Sequence, residues 1–188
     1  MNHLYQNSPM SVHEYYNIRE KSENLLEYID GMVYMPPSLS TAHQRISRKL
    51  LIQLDHYLEG KSCEVFHAPF DIELKVDHSE EAKIVIPDLS VICDKSGFTD
   101  SRYIGVPTLI VEILSPSNQA HDLITKLNIY MKSGVKEYWI VNPMLHSVTV
   151  YSLNLEGLYE QHDIQTKQGY ITSKILQGFS VDLKEIFE

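Results

Sequence analysis

From Thr41 to Leu58 apolar residues recur at four-residue steps: Ile46, Leu50, Leu54 and Leu58 mark one face, and Tyr57 flanks it. That period predicts an amphipathic helix, and Gly60 supplies its stop. Upstream, Ser11 with Glu14 three residues later forms a capping box for a short helix through Tyr15, Tyr16 and Ile18. Between the two helices, Leu25 to Met35 reads as a hairpin turning at the favoured pair Asp30-Gly31, and Pro36-Pro37-Ser38 then breaks the chain.

Past the long helix the pattern changes to short apolar runs. Three strands are predicted: Cys63 to Leu74, Ile84 to Cys93 and Thr108 to Leu114. The acidic Asp77 to Glu81 segment joins the first two, and the Asp94 to Gly105 loop joins the second and third. A second helix runs from about Asn118 to Ser133 and stops at Gly134. Lys136 to Val141 is a further strand, followed by Ser147 to Leu153 and a hairpin-like tail. There is no repeat, linker or low-complexity segment. This order predicts an α/β (α+β) fold, with a central mixed sheet flanked by helices, over one domain spanning residues 1–188.

The composition narrows the picture. A hydrophobic fraction of 43% in 188 residues supports a sizeable core. No stretch is long enough to cross a membrane, and Met1 to Tyr16 lacks a signal-peptide pattern. Cys63 and Cys93 match no metal spacing and are expected to lie reduced in strands, which points to a cytoplasmic location. The net charge of −9 argues against strong non-specific binding of nucleic acid, and Arg45, Arg48 and Lys49 form the one tight basic cluster. That charge still allows a nuclease, because acidic metal ligands lose their mutual repulsion once a cation is bound.

Two acids stand out against the apolar runs. Glu112 lies in the middle of Leu109-Ile110-Val111-Glu112-Ile113-Leu114, bounded by Pro107 and by Ser115-Pro116. Such a run reads as a strand buried on both faces, where an ionised carboxylate must be paired, metal-bound or neutralised. Asp88 follows Pro87 inside the second apolar run. Two carboxylates planted in two core strands suit a hard divalent cation; the alternative is a pair of acids held by structural lysines or arginines. Ser115 has no glycine-flanked elbow and no Gly-rich loop cradles phosphate, so a serine hydrolase and a P-loop enzyme are disfavoured.

The residues around these acids resemble the Uma-two family of restriction-endonuclease-like proteins. The resemblance rests on Glu27-Tyr28-Ile29-Asp30-Gly31, His43 opening a helix, Pro87-Asp88, and Pro107-x-Leu109-x-Val111-Glu112-Ile113-Leu114-Ser115-Pro116. Asp122, Lys126 and Tyr130 follow, then Gly134-Val135-x-Glu137-Tyr138-Trp139 before Pro143. That family is placed among the nucleases defined by Pro-Asp, then Asp or Glu, one residue, and Lys. Asp88 and Glu112 fill the first two places; Leu114 stands where the lysine would be, and relatives relocate it to the next helix, at Lys126 here. Asn142 replaces an aspartate common in relatives.

The resemblance implies a metal-dependent endonuclease acting on nucleic acid, DNA in the first instance. Asp88, Glu112 and the carbonyl of Ile113 would hold Mg²⁺ or Mn²⁺, and Lys126 would assist the water nucleophile or the transition state. Without that function Lys126 would be an exposed helix cation paired with Asp122, one turn back, while Tyr130 shares its face. Glu27 shares a strand face with Leu25 and Ile29, so it is a further ligand, a water-positioning group or half of a cross-strand pair. His43 continues the helix's apolar stripe and would touch an acidic ligand or a phosphate, or serve as a satisfied core histidine. Tyr138 and Trp139 read as core. The family also implies a homodimer. Two rivals stand beside the nuclease: a binding or regulatory protein that kept the fold and lost catalysis, and a subunit whose partner supplies the DNA-binding surface.

Overall fold

The computed structural model describes residues 3–5, 8–36, 38–75, 82–115 and 121–188. Along the chain run β1 (His3–Leu4), α1 (Val12–Arg19), β2 (Glu27–Ile29), β3 (Met32–Met35), α2 (Thr41–Leu58), β4 (Glu64–His67) and β5 (Asp71–Leu74). Next come β6 (Lys83–Val85), β7 (Leu89–Ile92), β8 (Arg102–Ile104) and β9 (Leu109–Ile113). A π-helical turn (His121–Lys126) leads into α3 (Leu127–Ser133), then β10 (Glu137–Asn142), β11 (Ser147–Leu153), β12 (Tyr159–Thr166), β13 (Tyr170–Thr172), β14 (Ser180–Asp182) and α4 (Leu183–Phe187). Pro37, the Asp77 to Glu81 segment, Pro116 and the helix start near Asn118 lie outside the described residues.

The strands form two six-stranded mixed sheets and a small ribbon. The first sheet has the order β1-β3-β2-β6-β5-β8 and the second β12-β11-β10-β9-β7-β4, while β13 pairs with β14. β9 and β10 are parallel neighbours connected through α3, the crossover that parallel strands require. Successive side chains of β9 point to opposite faces, which divides the core. Leu109, Val111 and Ile113 pack with Ile46, Leu50 and Leu54 of α2. Ile110 and Leu114 pack with Ile129 and Tyr130 of α3 and with Ile72 and Val85 of the first sheet. All five residues of β9 are buried, so the apolar run is a central strand.

Several expected elements are present with their expected capping. The Ser11–Glu14 capping box is formed, α2 spans the whole predicted stripe, and Gly134 ends α3 in the left-handed region at φ 84°. Asp30 and Gly31 both have positive φ, 50° and 83°, as a two-residue turn joining β2 to β3 demands.

Other expectations are corrected. The predicted Cys63 to Leu74 strand is two strands, broken at Pro69, with β4 in the second sheet and β5 in the first. The predicted Ile84 to Cys93 strand likewise divides at Pro87 into β6 and β7. Proline lacks the N–H that a continuing ladder needs, so each break lets the chain step between sheets. β8 lies within what reads as a loop, because its three residues pair in parallel with β5 and carry little pattern of their own. Cys63 and Cys93 are joined in a disulfide rather than reduced. They flank β4 and β7, which are antiparallel neighbours, so adjacency across the ladder brings them together. The cytoplasmic expectation rested partly on reduced thiols, and the disulfide removes that part of its basis. Among the described residues no helix is long and apolar enough to cross a membrane.

Candidate active site

The end of the second sheet where β7 begins is the place where the acids meet. Leu89 is opposite Val111 in the antiparallel β7–β9 pair, so one step outward sets Asp88 opposite Glu112. Twenty-four residues separate them in sequence, yet both line one cavity. The amide of Ile113 donates to Asp88 Oδ2 at 2.7 Å, which fixes that carboxylate against β9. Pro87 gives the chain its step from β6 into β7, and it is this step that carries Asp88 to the sheet end.

His43 approaches from α2. Ser40 caps the helix by accepting from the His43 amide, and the His43 ring lies one turn before Ile46 on the buried stripe. Its Nε2 is 3.0 Å from Asp88 Oδ2, and the imidazole is only 3% exposed. The expected contact with an acidic ligand is therefore present.

Lys126 enters from the other side, as the last residue of the π-helical turn. Its ammonium is 2.9 Å from Glu112 Oε1 and 2.9 Å from Glu27 Oε1. It is 3% exposed, so the exposed-cation alternative fails; the side chain of Asp122 lies outside the described residues. Tyr130, one α-helical turn beyond, donates its hydroxyl to the same Glu112 Oε1 at 2.7 Å. Burial, and then the charge of Glu112, push the Tyr130 phenol well above its ordinary value, so it stays a proton donor in this bond.

Glu27 comes from the first sheet and is fully buried. Beyond Lys126 it accepts from the Ile86 amide at 2.9 Å. Ile86 sits between β6 and Pro87, so this bond ties the β2–β6 sheet to the segment that delivers Asp88. Sequence alternation left Glu27 open between a ligand and a cross-strand partner. The observed partner is neither across the hairpin nor in its sheet, but on a helix a hundred residues away.

Glu27, His43, Asp88, Glu112 and Lys126 thus line one cavity of about 40 Å³, closed in part by Leu39. That is space for an ion or a water and little more. Glu27 Oε2 and His43 Nδ1 are buried with no hydrogen-bond partner among the described residues. Three carboxylates against one ammonium leave a formal charge of −2 when His43 is neutral, which is the charge one divalent cation would balance. Among the described residues no three His, Cys, Asp or Glu side chains are grouped closely enough to cage a metal ion. A Mg²⁺ site needs no such cage, since that ion uses one or two carboxylates together with waters and substrate phosphates.

Two contributors were not singled out from the sequence. Tyr130 was placed on the Lys126 face without a task, and the amide of Ile86 has no sequence signal at all. Glu137, by contrast, is a buried acid outside the cavity. Its carboxylate accepts from Trp139 Nε1, Ser173 Oγ and the amides of Lys174 and Ile175, a satisfied structural clasp. Tyr138 and Trp139 are core residues, as expected.

Over residues 12–184 the chain matches the Uma2 family, described as "Putative restriction endonuclease". An uncharacterised protein of Synechocystis sp. is 28% identical over 175 residues, 93% of this chain and 90% of that one. The fold is shared with a crystal structure from Anabaena variabilis described as a "putative nuclease belonging to DUF820". That match has a TM-score of 0.76 and 18% identity, and covers 95% of this chain and 98% of the other. The chain belongs to the Uma2 family.

Proposed function

We propose that this Uma2-family chain is a divalent-metal-dependent endonuclease, folded as one domain, that hydrolyses phosphodiester bonds of DNA. The observation that carries the reading is Asp88 opposite Glu112 at a sheet end, with the buried Lys126 ammonium held between Glu112 and Glu27 beside them. Asp88 and Glu112, with the Ile113 carbonyl, would hold Mg²⁺ or Mn²⁺, and the formal −2 of the cluster fits that charge. When bound, the cation would polarise the scissile phosphate and lower the pKa of a water.

The remaining roles belong to the chain itself. The Ile113 amide and His43 hold the Asp88 carboxylate in place. Lys126 supplies the single buried positive charge among the described cavity residues, next to where negative charge develops on the phosphate. Glu27 aims that ammonium through its 2.9 Å ion pair and keeps it from pairing with Glu112 alone. This restores, from a helix, the lysine that Leu114 displaces just beyond β9. The proposal includes a homodimer, which rests on the family resemblance.

Cleavage of supercoiled and linear duplex DNA with Mg²⁺ or Mn²⁺ tests it, beside Glu112→Gln and Lys126→Met. Metal-dependent cleavage lost in both supports the assignment. Cleavage that survives in Glu112→Gln rejects it.

A second reading has one observation in its favour: Lys126 is ion-paired with two buried carboxylates, as in an inert core clasp. A binding or regulatory protein, or a subunit relying on a DNA-binding partner, would show a folded wild type that never cleaves alone.

A further inference from the structure

The exposed side of α2 holds charge that the site does not use. Arg45 and Arg48 are exposed, and neither has an acidic partner among the described residues. Lys49 follows Arg48 directly, so this is the one tight basic cluster of a chain with 25 acidic and 16 basic residues. The two guanidinia line a groove of about 400 Å³ with Thr41, Gln44 and His67.

Both walls of that groove are built onto the candidate active site. One wall is α2, whose first turn places His43 on Asp88. The other is the end of β4, where His67 is opposite Leu89 and the following Ala68 amide donates to the Asp88 carbonyl at 3.1 Å. The groove therefore lies on the two elements that also hold Asp88.

We propose that this groove is the nucleic-acid track: Arg45 and Arg48 hold the phosphodiester backbone flanking the scissile bond, with Gln44 and Thr41 as uncharged hydrogen-bonding partners. The inference rests on the nuclease reading for its substrate. It adds where the strand lies and why a chain of net charge −9 can hold it at all. The net negative charge opposes the duplex, and these two charges dock it in one orientation. Phosphate contacts of this kind fix position and carry no base preference.

The test is binding of a labelled 30-base-pair duplex in Ca²⁺ over a series of KCl concentrations, with cleavage in Mg²⁺ run in parallel. The proteins are wild type, Arg45→Gln/Arg48→Gln and Arg45→Lys/Arg48→Lys. Each lost phosphate contact lowers the slope of log K against log salt by about 0.9, so the glutamine pair should lose about 1.8 of it. The same variant should raise KM about tenfold, while the lysine pair keeps the wild-type slope because its charges remain. Both positions are exposed, and unchanged thermal melts would exclude misfolding as the cause. A wild type that binds and cleaves, with the glutamine pair matching it in slope and KM, overturns the groove and leaves the nuclease standing. A wild type that binds with a slope the glutamine pair loses, yet never cleaves, upholds the groove and sinks the nuclease. No binding by the wild type overturns the groove outright.

Discussion

Replacing Lys126 with methionine separates the structural from the chemical part of the cavity. Methionine fills nearly the same volume and removes the charge, leaving Glu27 and Glu112 buried and facing one another. Both are at most 4% exposed, so neither can turn to water. Breaking a buried ion pair by removing one partner costs about 3–5 kcal/mol. For a chain of this length that is about 6–20 °C in Tm. Urea unfolding at pH 7 reads the loss. Glu27→Gln should restore part of the stability in the Lys126→Met background, with a coupling of about 0.5–3 kcal/mol in the double-mutant cycle. A Lys126→Met protein melting within about 2 °C of wild type at pH 7 would refute the clasp, because a desolvated acid pair cannot be left uncompensated so cheaply.

Three further outcomes are expected. Tyr130→Phe deletes the hydroxyl bond to Glu112 while keeping the 5.1 Å edge contact with Tyr138, and should cost about 1.5–3 kcal/mol in urea unfolding. Glu137→Ala strips the acceptor from Trp139 Nε1, Ser173 Oγ and two amides; a loss of about 4 kcal/mol or more is expected, with altered Trp139 fluorescence as the local signature. Gly31→Ala forces a Cβ into the left-handed region at φ 83° and to 3.3 Å from Pro9 Cβ, so the β2–β3 turn should lose about 1–2 kcal/mol, visible as a lower Tm.

How much of this site could be read from sequence follows from how local each interaction is. The α2 stripe, the Ser11 cap and the Asp30-Gly31 turn depend on residues within a few positions of one another, and they form as the pattern predicts. The run around Glu112 also spoke plainly, because a charge inside five buried positions has few physical explanations. The sheet partition was hidden. Pro69 and Pro87 look like blemishes in two long strands, yet each moves the chain between sheets, and the second of these moves is what sets Asp88 opposite Glu112. Lys126 was visible through family resemblance alone. On helix periodicity its partner should be Asp122, at a cost and gain of a few tenths of a kcal/mol. The fold gives it two buried carboxylates from different sheets. That arrangement was invisible from sequence because Glu27, Glu112 and Lys126 come from three distant segments. The disulfide was missed for the same reason: Cys63 and Cys93 are neighbours only through the β4–β7 pairing, which exists only after the apolar run is cut at Pro87.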